Sequence, residues 1–177
     1  NTIATGAILY VLITIFGPIS GAHFNPTVTV AMLIAKKITA KDAIIFIILQ
    51  ILGAGLGVMI AHGMFELDIL QISSKSRQGA SQGFSEIIAT FGLILVIFGG
   101  LKVRADAIPA LVGFYITSAY WFTASTSFAN PAVTLARSLS DTFAGINPSN
   151  IIMFISCQFI GMLVALIFVK YIFSEKE

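Results

Sequence analysis

The sequence predicts an all-α membrane protein built as an inverted repeat, with five transmembrane helices and two re-entrant half-helices. Three observations carry that prediction. The 177 residues are 57% hydrophobic and only 10% charged, against about 25% charged in a soluble globular domain. Five apolar stretches approach or reach the roughly 20 residues needed to cross a hydrocarbon core. An Asn-Pro motif occurs twice in matching surroundings, each time ahead of an apolar segment too short to span.

The first span is Asn1–Phe16, and it opens without the basic leader of a secretory signal. The first Asn-Pro follows, leading into the short segment Thr27–Ala35. The second span is Asp42–His62, and between Asp42 and Glu66 there is no formal charge. A Ser/Gln/Gly-rich stretch, Gly63–Gln82, reads as a solvated loop. The third span is Gly83–Leu101 and the fourth is Asp106–Thr123. The second Asn-Pro then leads into the short segment Ala132–Leu139, and the last span is Asn150–Lys170.

The repeat is visible in the residues. Gly21-Ala-His-Phe-Asn-Pro-Thr-Val-Thr-Val30 matches Ser125-Thr-Ser-Phe-Ala-Asn-Pro-Ala-Val-Thr-Leu135. Flanking residues pair as well: Gly6 with Gly113, Gln50 with Gln158, and Gly53 with Gly161. The whole chain is thus one channel domain of two units, residues 1–62 and 83–173. One span precedes Asn25 and two precede Asn130, so the units have opposite orientation, the pattern of midplane solute sites. Symmetry calls for a helix ahead of the first unit, matching Gly83–Leu101, and the sequence is read as truncated there.

Asn-Pro suits a helix start. Pro fits the first helical position because its missing N–H would have no partner there, and Asn can cap the turn. Each motif is therefore expected to begin a half-helix inside the bilayer, where irregular backbone survives only in a protein interior or beside water. Inversion brings the two positive half-helix ends together. The pore motif comprises Asn25, Pro26, Thr27, Asn130, Pro131 and Ala132. A third Asn-Pro, Asn147-Pro148, has no repeat partner and reads as an ordinary turn.

Charge placement orients the chain. Lys36, Lys37, Lys41, Lys102, Arg104, Lys170 and Lys176 fall on one face, against Lys75 and Arg77 on the other, with Arg137 unassigned. The richer face is expected to be cytoplasmic, with the C-terminus. A net charge of +2 gives no nucleic-acid footprint. The single cysteine, Cys157, reads as a small core residue. No metal spacing and no pairing of acid, base and nucleophile points to an enzyme or a cofactor.

With these motifs in place, the sequence resembles the aquaporin and glycerol-facilitator family, the major intrinsic proteins. Ser20-Gly-Ala-His-Phe-Asn-Pro26, Phe128-Ala-Asn-Pro-Ala132, Gln50-x-x-Gly53 and Glu86 carry the resemblance, which covers the whole chain. It implies six helices plus two half-helices, a homotetramer in the lipid bilayer, and passive passage of water or small neutral solutes without a cofactor. Counting from the two Asn residues, the family's selectivity filter falls on Thr5, Ser118, Ser127 and Val133. Water channels usually place an aromatic, an imidazole and an Arg at the first, second and fourth of these. The neutral or small groups here imply a wider opening, suited to polyols or neutral oxyacids such as arsenous acid. A bacterial branch with Val at the Arg position is similar, which implies a bacterial inner membrane.

Three further residues are expected to support the pore. Resemblance implies that Glu86 braces a re-entrant loop by accepting backbone N–H groups, with proton relay as the alternative. His23 lines the inner vestibule or bonds the loop. Arg137 lies one turn beyond Val133 and either forms a salt bridge with Asp141, the preferred reading, or projects to the mouth. His62 and the pair Tyr120 and Trp121 are expected at the membrane interface. Gly53 and Gly57 are expected to admit a neighbouring helix. Two rival readings remain: a secondary transporter, which would need coupling-ion groups beyond Glu86, and an inactive or structural fragment.

Overall fold

The computed structural model describes residues 1–173. The described residues form seven α-helices and two short 3₁₀ turns, without a strand. The helices are α1 (Thr2–Ser20), α2 (Pro26–Ile34), α3 (Ala40–Met64), α4 (Ala80–Val103), α5 (Ile108–Phe122), α6 (Pro131–Arg137) and α7 (Ile151–Ile172). Lys176, counted above among the charges of the richer face, lies outside the described residues.

Local chemistry sets the helix ends. Gly21 closes α1 in the left-handed region at φ 77°, which glycine enters at no steric cost. Thr39 starts α3, its hydroxyl oxygen accepting from the Asp42 N–H at 3.1 Å while its O–H donates to the Asp42 carboxylate at 2.7 Å. At the end of α4, Arg104 clasps Asp106 with two bonds of 2.9 and 3.0 Å.

Four helices are long and apolar enough to cross a membrane: α1, α3, α4 and the segment containing α7. The expected fourth span is the exception. Its start is taken up by the 3₁₀ turn Ala105–Ala107, and α5 itself has 15 residues. At about 1.5 Å per residue that is roughly 22 Å, short of a hydrocarbon core of about 30 Å. This stretch is thus one of those that approach rather than reach the spanning length.

Close packing follows the paired glycines. Gly6 of α1 and Gly113 of α5 face each other so tightly that a Cβ on Gly113 would lie 2.8 Å from the Gly6 carbonyl oxygen. Gly161 of α7 rests on the backbone of Ile87 in α4. The Tyr115 hydroxyl of α5 donates to the Ala89 carbonyl of α4 at 2.8 Å. Leu93, Ile94, Ile97, Phe98, Ile116 and Met162 lie in the core that these contacts enclose. Gly53 and Gly57 behave otherwise: nothing among the described residues comes within 4 Å of a Cβ at either. The expected helix contact there is not made. Instead α3 exposes a stripe of Ile44, Ile48, Leu52, Leu56 and Ile60, an apolar face suited to hydrocarbon.

The stretch between α3 and α4 is largely exposed, as its composition suggested, and still makes ordered contacts. It folds onto the segment after α6: the Ser73 N–H donates to the Ser138 carbonyl at 2.9 Å and the Asn147 N–H to the Lys75 carbonyl at 2.7 Å. His62 is buried in this contact rather than interfacial. Its Nδ1 lies 3.0 Å from the Ile69 carbonyl and its Nε2 3.0 Å from the Ser140 hydroxyl. A carbonyl only accepts, so Nδ1 carries the proton and Nε2 accepts from Ser140. Asp141 bonds the Ser74 N–H and hydroxyl at 2.8 and 2.9 Å.

Candidate pore and its mouth

The two Asn-Pro motifs, far apart in sequence, meet at their N-terminal ends. Asn25 and Asn130 share one extended conformation, φ/ψ −156°/120° and −157°/113°. Each Pro occupies the first turn of its half-helix. Asn25 Oδ1 accepts from the Thr27 N–H at 2.9 Å; Asn130 Oδ1 accepts from Ala132 and Val133 at 3.0 and 3.3 Å. The amide donors cross over. Asn25 Nδ2 donates to the Ala129 carbonyl at 2.7 Å, and Asn130 Nδ2 donates to the Phe24 carbonyl at 2.9 Å. Each side chain thus caps its own half-helix and ties it to the loop of the other. Each Nδ2 keeps a second hydrogen.

The loops before the two motifs share an unusual backbone. Ala22 and Phe24 have φ 47°, and Ser127 and Ala129 have φ 50° and 46°. A non-glycine residue in this region costs about 1–2 kcal/mol, so the surroundings must hold it there. Glu86 supplies much of that hold beside the second motif. Its carboxylate is fully buried in the bundle. It accepts from the Phe128 and Ala129 N–H groups at 2.9 and 2.8 Å and from Gln158 Nε2 at 2.6 Å. The Gln158 amide reaches on to Thr134 Oγ1 at 2.9 Å.

The first motif repeats half of this arrangement. Gln50 Nε2 donates to Thr29 Oγ1 at 2.9 Å. The Thr29 hydroxyl donates to the Asn25 carbonyl at 3.1 Å, so His23 Nδ1, 3.1 Å from Thr29 Oγ1, is a donor as well. His23 is half-buried and lies edge-on to Phe46, with ring centroids 5.7 Å apart. It therefore ties the loop to the half-helix α2, and its Nε2 is left as an acceptor.

The four positions expected to form the filter are distributed as follows. Thr5 on α1 and Ser118 on α5 turn their hydroxyls back to their own helices, to the Asn1 and Phe114 carbonyls at 3.0 and 2.9 Å. Ser118 is exposed and Thr5 half-buried. Ser127 and Val133 flank Asn130. Ser127 is buried and its Oγ has no hydrogen-bond partner among the described residues. Val133 packs on the cluster of Phe128, Ile146 and Phe154.

Arg137 does not reach Asp141, whose carboxylate is taken by Ser74. Its guanidinium lies over the Phe128 ring, 4.3 Å from the centroid, and Nη2 donates to the Tyr120 hydroxyl at 2.9 Å. The preferred salt-bridge reading is corrected, because a bound Ser74 leaves Asp141 no reason to turn. Tyr120 is correspondingly half-buried while Trp121 stands exposed.

Arg77 is the site residue that sequence reasoning missed. It is buried, and Nε, Nη1 and Nη2 donate to the Gly145, Ser125 and Phe143 carbonyls at 2.7, 3.1 and 3.2 Å. Its guanidinium lies 4.9 Å from the Phe128 centroid. Burial first, and then the charge of Arg137, draw its pKa below the ordinary arginine value, while Glu86 pulls the other way. Its sequence surroundings are polar and loop-like, so nothing local distinguished it from a solvated charge.

The family model described as major intrinsic protein matches residues 1–127. The chain is similar to the aquaglyceroporin AqpS of Rhizobium meliloti (strain 1021), 49% identical over 97% of this chain and 74% of the relative. It is also similar to an aquaglyceroporin of Toxoplasma gondii (strain ATCC 50611 / Me49), 29% identical over 75% of this chain and 52% of the relative. A probable aquaporin, PIP2-5 of Arabidopsis thaliana, is 32% identical over 59% of this chain and 38% of the relative. The chain thus spans three quarters of the first of these relatives and about half or less of the other two.

Proposed function

The chain belongs to the major intrinsic protein family, and from that premise we propose that it is a passive membrane channel for water and small uncharged solutes, widened at its filter to pass glycerol-like polyols. The observation that carries the proposal is the reciprocal pair of bonds from Asn25 to Ala129 and from Asn130 to Phe24. Two half-helix N-termini held face to face place about half a positive charge each at one point. A cation or proton is repelled there, while a hydroxyl or water oxygen can accept the second amide hydrogen of each Asn.

Filter width follows from Thr5, Ser118, Ser127 and Val133. None carries a ring or a fixed charge, so a solute larger than water meets less bulk and loses fewer bonds. Small polyols and neutral oxyacids such as arsenous acid are the solutes this ring admits. In the proposed orientation the C-terminus is cytoplasmic. With Arg137 on the Arg77 face, the charges of the described residues still divide six to three in favour of the Lys36, Lys102 and Lys170 face. The proposed setting is a homotetramer in a bacterial inner membrane.

The test is stopped-flow light scattering on proteoliposomes facing a glycerol gradient. Fast shrinkage followed by re-swelling beyond protein-free liposomes is expected. Shrinkage without protein-dependent re-swelling would leave a water channel and remove the wide filter.

A further inference from the structure

Arg77 and Arg137 stand on one aromatic ring at a mouth of the bundle. Among the described residues neither has a carboxylate within salt-bridge distance; the ion pair present is Arg104–Asp106, at the opposite face. Glu86 lies behind Phe128 with its oxygens committed to Phe128, Ala129 and Gln158. Asp141 is held by Ser74. Two like charges are therefore kept together with no carboxylate in contact with either among the described residues, Glu86 offsetting Arg77 only from a distance, an arrangement that favours a bound anion.

The donor inventory agrees. A guanidinium offers five N–H groups in a fixed fork. Arg77 spends three on the Gly145, Ser125 and Phe143 carbonyls, which fix it. Arg137 spends one, on Tyr120. Both arginines line a cavity of about 200 Å³ whose walls also include Asn1, Thr2, Tyr120, Trp121, Thr126 and Phe143. That is room for about six waters at roughly 30 Å³ each, which suits an ion of a few heavy atoms.

We propose that this cavity is an anion subsite in which Arg77 and Arg137 hold a small oxyanion by two of its oxygens. Paired N–H groups match the spacing of carboxylate or phosphate oxygens, whereas a spherical halide offers no second acceptor. Val133 leaves the filter itself without a charge; the subsite puts two charges a turn farther along the path. It gathers oxyanions at the mouth and turns cations away. The oxygen pair can belong to a soluble anion or to a lipid headgroup.

Trp121 is the one tryptophan of the chain and lines the cavity, so binding is readable without any transport assay. The purified protein in phosphate-free detergent is titrated with inorganic phosphate, and separately with chloride at matched ionic strength, while Trp121 fluorescence is followed. A saturable response to phosphate and none to chloride is expected. Arg137→Gln should weaken the apparent affinity by about tenfold or more, the loss expected for a hydrogen bond to a charged group. Arg137→Lys should fall between the two. Lys75→Gln removes an exposed charge outside the cavity wall and should bind like the unchanged protein, which separates a lost ligand from a general change of surface charge. Identical responses to phosphate and chloride, or an Arg137→Gln protein that binds phosphate as tightly as the unchanged one, would overturn the proposal. Repeating the titration in phosphatidylglycerol vesicles identifies the source: an undiminished response supports a site for soluble anions, and a suppressed one a site already held by headgroups. Because this readout involves no flux, its failure leaves the glycerol result standing, and the reverse.

Discussion

Glu86 Oε2 accepts a hydrogen bond from Gln158 Nε2 at 2.6 Å, with both side chains fully buried. The bond joins α4 to α7 at the depth where the second re-entrant loop turns. The same carboxylate holds Phe128 and Ala129, so the position of Asn130 rests on it. Glu86→Gln would leave one oxygen and an NH₂ facing three donors, and at least one buried donor would go unpaired, at a cost of about 1–3 kcal/mol. A lower melting temperature in detergent and slower glycerol re-swelling are expected together. Unchanged values of both would show that the carboxylate does not set the loop.

Of the four proposed filter positions, Val133 is the one whose substitution tests the restoration of a charge. It follows Asn130 by three residues and packs on Phe128, Ile146 and Phe154. In Val133→Arg, a bulky cation with five donors would enter the path beside Ser127. Glycerol re-swelling should fall well below that of the unchanged chain while osmotic shrinkage persists. Equal loss of both phases would mean a collapsed pore rather than a narrowed one.

Gly161 lies on the Ile87 backbone. A methyl group there meets a carbonyl oxygen that cannot swing aside, so Gly161→Ala should force α4 and α7 apart and cost about 1–3 kcal/mol. Gly55 provides the contrast, since nothing among the described residues lies within 4 Å of a Cβ at that position. Gly55→Ala should be neutral, or stabilising by up to about 1 kcal/mol through helix propensity. Thermal unfolding of the two variants side by side decides this; equal melting temperatures would contradict the close contact.

Asp141 ties the α3–α4 connection to the segment after α6. The Ser74 N–H, and then its hydroxyl, hold the carboxyl below the ordinary carboxylate range. A pKa lower in the folded state means that the charged form is the one folding favours. The contribution is thus present above the ordinary carboxylate pKa of about 3.9 and is lost as pH falls through the folded value. Proteolytic nicking of the 65–79 loop should rise on acidification below about pH 4 in the unchanged protein. Asp141→Asn should show higher nicking at neutral pH and less change with acid. A pH-independent cleavage rate in the unchanged protein would remove this tie.

Much of the architecture could be read directly. Hydropathy placed the long helices, because a span must satisfy its backbone internally and expose apolar side chains. The paired Asn-Pro motifs placed the half-helices to within a residue or two, because Pro and an Asn cap act locally. Glu86 stood out as an acid inside an apolar span. The reading weakened where a residue's role depends on distant partners. Arg77 sat in a polar stretch, and Arg137 had Asp141 four residues away, a pairing that helix periodicity favours.

The sequence by itself determined the helical membrane class, the inverted pair of units and the two capped half-helix starts, since each follows from short-range chemistry and apolar length. Only the tertiary structure decided that α5 begins late, that His62 is buried, that Gly53 meets no neighbour among the described residues, and that Arg77 joins Arg137 on Phe128. Those outcomes depend on groups dozens of residues apart competing for the same donors and the same space. Asp141 could have paired with Arg137; the Ser74 backbone reached it instead, and Arg137 went to Tyr120.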